Sequence, residues 1–493
     1  MSQSTPRYFL YRVFLAPTVM TSLLLGCGGG SSPASMIPNP PAVANTAVTL
    51  AVSSTANDRV VRAGLTLNNL TLINAAGTAV TVLSVPQRAE FVHLNGAMES
   101  LVTVTVPQGS YTSASATLGD SGFECVVLSS TGGIVSGSYS LVAATPQVTL
   151  PEPIVVSDAP MALVLSLIVS PSQGAAACDG LSADQSPSPV ETITPTFSLA
   201  GYAAAGQPTN GYDGRETNLI GTVTANTTNG SGFSVAATDG PAWSVTTNDT
   251  TVFQGVTGFA QLVAGMPVNF DAELQSDGSL LASRVEVTDT NTANLTIVRG
   301  PSIFLSEAEP ILDILITESA GPLFAGATPE GAWSFGFGDD TLFQVSAQLS
   351  NLSKLPFSPR FNASNIVAGQ SIYVSTHAAE FPDAPDLVAV TTVTLVPQTI
   401  NGTVTDVSSA GGFTTYTVEL ASYATFTALA QQPGQTTILA NPDSVVVYVD
   451  GNVRTLNTTP LAVGSLLRFN GLVFNDNGTL RMDCAEVLDG VAL

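Results

Sequence analysis

Val102-Thr103-Val104-Thr105-Val106-Pro107-Gln108-Gly109-Ser110-Tyr111-Thr112 decides the fold. Three valines alternate with two threonines, which in a strand places the valines on one face and the threonines on the other. Pro107-Gln108-Gly109 reads as a turn, and alternation resumes from Tyr111 to Leu118. Upstream, Leu65, Leu67, Leu70 and Leu72 interleave with polar residues in the same way. Short alternating runs separated by turns predict an antiparallel β-sandwich over 46–170. No long amphipathic helical pattern is found anywhere in the chain.

Beyond residue 218 the sequence repeats itself. Ala242-Trp243-Ser244, with Asp249, Thr251, Phe253 and Gln254, matches Ala332-Trp333-Ser334 with Asp339, Thr341, Phe343 and Gln344 without a gap. Gly221-Thr222-Val223-Thr224 recurs as Gly402-Thr403-Val404-Thr405. Val263-Ala264-Gly265, Val367-Ala368-Gly369 and Ala462-Val463-Gly464 each open a strand. In those strands Val268, Ile372 and Leu467 share a column, as do Phe270, Val374 and Phe469. Three units at 219–290, 291–398 and 399–493 follow, the second divergent. Residues 171–218, rich in Pro, Gly, Ala and Ser, read as a linker with one strand near Thr196–Ala200.

Leu94-Asn95-Gly96, followed by Val106-Pro107-Gln108-Gly109-Ser110-Tyr111-Thr112, resembles the domain of unknown function 4382 of bacterial lipoproteins, over 46–170. Its Pro-x-Gly-x-Tyr turn is shared by transthyretin-like and immunoglobulin-like sandwiches. The first repeat closely resembles the domain of unknown function 5666, from Gly221-Thr222-Val223 through Val263-Ala264-Gly265 to Asp277-Gly278-Ser279-Leu280. The third is similar with an insertion. The second departs most, with Gly300-Pro301-Ser302 at its opening. The predicted class is all-β: an N-terminal β-sandwich, transthyretin- or immunoglobulin-like, followed by three small β-barrel-like repeats. At class level the repeats are similar to the oligonucleotide-binding barrel. The resemblances imply no established activity.

At the N-terminus, Arg7 and Arg12 precede an apolar run, Val13 to Leu25, that ends in Leu24-Leu25-Gly26-Cys27. The run is too short for a transmembrane helix and reads as a targeting segment. It resembles a bacterial lipoprotein signal peptide, residues 1–26, cut before an acylated Cys27. The resemblance implies attachment to a membrane through acyl chains on Cys27, in the cell envelope. Gly28 in place of aspartate favours the outer membrane, with the periplasmic or surface face left open. Residues 27–45, rich in Gly, Ser and Pro, form the expected tether. In that oxidising compartment Cys125 and Cys178 are candidates for a disulfide, the alternative being two buried thiols. A bridge would close a loop of about fifty residues and contribute roughly 4 kcal/mol in the chain-entropy picture. Cys484 is left as a small apolar residue.

The net charge is −24, with 37 acidic residues against 13 basic ones, and Lys354 is the single lysine. Nucleic-acid binding needs a basic groove, so nucleic acid is not an expected partner. Gly119-Asp120-Ser121-Gly122 spells a serine-protease nucleophile motif, but His93 lies too near for that fold and the segment reads as a hairpin turn. His93 and His377, far apart and without clustered cysteines, argue against a zinc site. Asp271 and Glu273, two apart on a strand, could serve glycoside hydrolysis or hold calcium, but an exposed acidic edge is the simpler reading. His377 shares a column with Glu273 and Leu472, which reads as solvent-facing. Asp277-Gly278, Asp450-Gly451 and Asn475-Asp476-Asn477-Gly478 read as hairpin turns rather than calcium loops. Asp339-Asp340 could ligate a metal, but Asp339 matches Asp249 and sits between strands in both repeats, and Trp243 with Trp333 at one repeat position favours core packing over a sugar platform. The expectation is a non-catalytic, lipid-anchored envelope protein with a binding, adhesion or scaffolding role. It has no catalytic residue, metal or cofactor, and its partner is an envelope protein or a glycan. A calcium- or small-ligand-binding module and a carbohydrate-active hydrolase are the alternatives.

Overall fold

The computed structural model describes residues 44–491 except 56–59, 120–121, 129–133, 142–144, 169–191, 194, 205–211, 227–230, 239, 307–308, 325–330, 347–351, 379–387, 422–423 and 430–438. All of them belong to one continuous unit, Val43–Leu493. Cys27 and Cys178 lie outside the described residues, as does the Cys125 side chain, so the lipid and disulfide assignments do too. No helix among the described residues is long and apolar enough to cross a membrane. The protein is all-β.

The sandwich forms because alternation gives each strand an apolar face. One sheet runs in the order Glu99–Pro107, Asn45–Ser54, Met161–Leu167, Thr196–Ala203, Gln147–Thr149. The other is centred on Val60–Asn74, which pairs with Gly109–Leu118 and Gly122–Leu128. Val48, Leu50, Leu163 and Leu165 from the first sheet meet Leu65, Leu67, Leu70 and Leu72 from the second in one core. The sheets are mixed rather than purely antiparallel, since Asn45–Ser54 runs parallel to Met161–Leu167.

The strand expected near Thr196–Ala200 is present as Thr196–Ala203, but it is part of a sheet rather than of a linker. It pairs along its whole length with Met161–Leu167, which places it inside the sandwich. Met161–Leu167 is apolar at almost every position because both its faces are covered. Leu163 and Leu165 face the sandwich core, while Ala162 and Val164 join the core of the first barrel.

The three repeats are five-stranded barrels. The first uses Arg215–Asn226, Gly232–Ala236, Ala242–Thr246, Pro267–Leu274 and Leu280–Glu286. Its strands pair in the order 3-2-1-4-5 and close through a parallel contact of the third and fifth, Val245 opposite Leu280. The third uses Gln398–Ala410, Phe413–Leu420, Ser444–Val449, Leu466–Asp476 and Thr479–Asp489 in the same order, with Val445 opposite Leu480. The second uses Thr296–Leu305, Ile311–Leu315, Ala332–Gly336 and Ser371–Thr376, and its fifth strand is broken into Val388–Ala389 and Thr392–Leu395. This is the strand order of the oligonucleotide-binding barrel.

One glycine explains why three diverged sequences keep the same closure. Gly221, Gly300 and Gly402 pair with Val268, Ile372 and Leu467 respectively. A Cβ on any of them would strike a second-strand carbonyl, at Ala236, Leu315 or Glu419. Each first strand bulges just beyond its glycine and coils from one side of the barrel to the other. The second repeat therefore keeps the glycine that its altered opening obscures.

Candidate functional site

Among the described residues, several buried charged side chains lie at boundaries between domains. At the sandwich and first barrel, Trp243 Nε1 donates to the Ser100 carbonyl over 2.9 Å. Ser100 in turn donates its backbone N–H (3.0 Å) and its hydroxyl to the Glu216 carboxylate. Glu216 is wholly buried, and burial pushes its pKa up to about 7 against the opposing effect of those bonds.

Between the first and second barrels, Arg284 donates to Asp271 (2.8 Å), Glu286 (2.5 Å) and Asn269. Glu286 also accepts from Tyr373 and from Ser346 of the second barrel (3.2 Å for Ser346). The expected exposed edge at Asp271 and Glu273 is therefore corrected: Asp271 is buried and Glu273 is exposed. The alternation holds, with Val268, Phe270, Ala272 and Leu274 in the barrel core; Asp271 faces outward beside Asn269, where it is covered and Arg284 across the ladder supplies the cation that makes burial tolerable.

The third barrel reaches back to the start of the chain. Arg454 pairs with Asp213, and Arg468 Nη1 donates to Asn95 Oδ1 over 3.3 Å. Leu472 and Phe474 enter the core of the second barrel, so the column of Glu273, His377 and Leu472 is not uniformly solvent-facing. His377 itself bonds the Ala293 carbonyl and Asp289. Trp243 is buried against Phe270, and Trp333 packs edge-on to Phe324. Asp249 and Asp339 lie in exposed turns, and Asp277 and Asp450 accept from backbone N–H groups of their own turns. Asp120 and Ser121 lie outside the described residues. Cys484 is buried in the third barrel, and burial pushes its thiol far up.

The densest cluster surrounds His93, where the sandwich meets the first two barrels. Phe91 and Leu94 anchor its turn in the sandwich core, and Ser54 Oγ donates to the Phe91 carbonyl over 2.5 Å. Gly96, at φ 91°, closes the turn. His93 is left pointing away from the core. Its Nδ1 lies 2.9 Å from Glu90 Oε2, and its Nε2 lies 3.4 Å from Glu99 and 3.6 Å from Glu318. Glu90 is fixed by the backbone N–H groups of Ala63 (2.7 Å), Val92 (3.1 Å) and His93 (2.8 Å). Burial opposes charge on Glu90, but the bonds from His93 and the backbone outweigh it and hold its pKa below the usual value. Burial also opposes charge on His93, yet the Glu318, Glu90 and Glu99 carboxylates lift it to about 10. Burial raises Glu318, with partial relief from Arg299, whose Nη2 is 2.6 Å away.

Two cavities flank the cluster. One, of about 40 Å³, is lined by His93, Glu90, Glu99, Glu318, Arg62 and Arg88. The other, of about 120 Å³, is lined by residues from all four domains, among them His93, Asn218, Arg299, Gln398 and Asn470. Sequence reasoning weighed His93 only against His377, cysteines and Ser121. The signal it lacked is tertiary, because Glu318 comes from another domain.

The family described as a domain of unknown function, DUF5666, matches residues 220–286, the span of the first barrel. No curated protein matches the chain. Among solved structures, the chain is similar to the wild-type single-stranded DNA binding protein from Thermus aquaticus at 12% identity and a TM-score of 0.14, over 41% of this chain and 94% of that one. A deletion variant of that protein gives 14% identity and a TM-score of 0.14, over 41% and 95%. The first barrel thus carries the DUF5666 pattern.

Proposed function

We propose that this is a non-catalytic protein of the bacterial cell envelope, lipid-anchored through Cys27, whose sandwich and three barrels act together as a binding or scaffolding body. The observation that carries this reading is where the polar groups are used. Glu216, Asp271, Arg284, Glu286, Arg454 and Arg468 hold one domain to another or brace the strands beneath such a contact. The carboxylates weighed for hydrolysis are set apart, Asp271 lying buried against Arg284 and Glu273 exposed. An extended array fits less well, because the third barrel is tied back to Asn95 and Asp213. With a net charge of −24 and one lysine, the partner is an envelope protein or glycan rather than nucleic acid, whatever the barrel's strand order. The cavity shared by four domains favours a second reading, a small-ligand module.

The test is acyl labelling and crosslinking in cells, comparing the natural chain with Cys27→Ala. The natural chain should take the label and retain an envelope partner, and the variant should lose both. An unchanged label would overturn the anchoring, and turnover on glycan or ester panels would overturn the non-catalytic reading.

A further inference from the structure

We propose that His93 Nε2 and one carboxylate oxygen each from Glu99 and Glu318 bind a divalent first-row transition ion of the zinc class, bridging the sandwich and the second barrel. The donor spacing is the first argument. Nε2 lies 3.4 Å from Glu99 Oε2 and 3.6 Å from Glu318 Oε1, and the three donor atoms all lie within 4.8 Å of one another. Direct hydrogen bonds between such groups are about 2.7–2.9 Å long. Donors around a tetrahedral ion with bonds of about 2.0–2.1 Å sit roughly 3.3–3.4 Å apart. The gap matches shared ligation better than direct bonding.

The second argument is the outer layer. A metal-bound imidazole usually donates its other N–H to a carboxylate, which fixes the tautomer and aims the lone pair. Glu90 stands in that position at 2.9 Å from Nδ1, and three backbone N–H groups hold it there. An incoming ion displaces the Nε2 proton that these carboxylates otherwise hold, leaving the N–H on Nδ1 toward Glu90 and the Nε2 lone pair between Glu99 and Glu318.

The third argument is unsatisfied capacity. The Glu99 side chain is only 8% exposed and is directed at Nε2. Glu318 Oε2 is taken by the ion pair with Arg299 at 2.6 Å, which leaves Oε1, 3.6 Å from Nε2, as the oxygen turned toward the site. The 40 Å³ cavity bordered by the same side chains has room for a water as a further ligand. One imidazole and two carboxylates suit zinc-class ions, whereas calcium calls for six to eight oxygens. The inference is independent of membrane anchoring.

The purified full chain, stripped with chelator, would be titrated with zinc by competition calorimetry and with cobalt(II) by electronic absorption. One equivalent should bind, and cobalt should give tetrahedral bands without a thiolate charge-transfer band. Glu99→Gln should weaken zinc by on the order of a hundredfold, and Glu90→Gln, which acts through His93, by about tenfold to a hundredfold. Asp339→Asn, in an exposed turn of the second barrel, should leave affinity unchanged. If Glu99→Gln fails to fold, loss of the His93 Nε2 nitrogen signal to zinc in the natural chain replaces it. Absence of binding, a thiolate band, or affinity unaffected by Glu99→Gln would each overturn the site.

Discussion

Arg284 and His93 are both buried among carboxylates at domain boundaries, yet the two surroundings behave differently. Arg284 is held at 2.5–2.8 Å by Asp271 and Glu286, with Asn269 and the first-barrel strands closing around it. His93 has one partner at 2.9 Å and two at 3.4 and 3.6 Å, with a cavity on either side. The chemical distinction is in the cation. A guanidinium cannot shed its proton in a protein, so the carboxylates around it are permanently required. An imidazole can exchange its proton for a lone pair. The first cluster is a fixed structural tie, and the second can change occupant.

The largest expected effect comes from breaking the fixed tie. Arg284→Met leaves Asp271 and Glu286 buried without their cation, and removing one partner of such a group costs about 3–5 kcal/mol. Guanidinium unfolding should show that loss. A loss below 1 kcal/mol would mean that the Arg284 cluster is as adaptable as the His93 one.

Glu216 sharpens the comparison as a titratable group with no cation against it. Its pKa is raised from 4.5 to about 7, with burial the main cause. A raised pKa means that the folded state binds the proton more tightly than the unfolded one. The associated stability is fully present below about pH 4.5, falls as pH rises toward 7, and is flat above it. The span corresponds to on the order of 3 kcal/mol. Glu216→Gln should flatten unfolding midpoints measured between pH 5 and 8, and a retained slope would assign the dependence to another group.

A neutral junction bond should matter less than either. Trp243→Phe keeps the aromatic contact with Phe270 but leaves the buried Ser100 carbonyl without its indole donor. The expected loss is about 1–2 kcal/mol, read from the shift in denaturation midpoint. A loss equal to that of Arg284→Met would show that the charged and neutral ties carry similar weight.

Much of the fold is legible in the sequence because it is periodic. Val102 to Val106, the Trp243 and Trp333 repeats and the columns through Val268 and Phe270 all report local backbone geometry and a shared core. What escapes is set by contacts across the chain. The strand at Thr196–Ala203 is legible near Thr196–Ala200, but its place in the sandwich is not, because only pairing with Met161–Leu167 assigns it there. Asp271 looks exposed because alternation puts it on the barrel's outer face, and only the packing around Arg284 and Asn218 shows that this face is covered there. The His93 site is invisible for the same reason, since Glu90 and Glu99 are nearby in sequence but Glu318 and Arg299 arrive with the second barrel.

The smallest expected effect is at Glu99, and it separates the two clusters most directly. In metal-free protein, Glu99→Gln removes one of the carboxylates near Nε2. The imidazole can keep its Nε2 proton beside Glu318 or release it while Nδ1 keeps its bond to Glu90, and the new amide can accept from or donate to Nε2 accordingly. No charge is stranded, so the loss at pH 8 should be under about 1 kcal/mol. Glu286→Gln, the matching change beside Arg284, cannot be relieved in this way and should cost several times more. Parallel guanidinium titrations of the two variants read the difference. Equal losses would mean that the proton on His93 is as fixed as the charge on Arg284, and that the cluster has no freedom to accept another occupant.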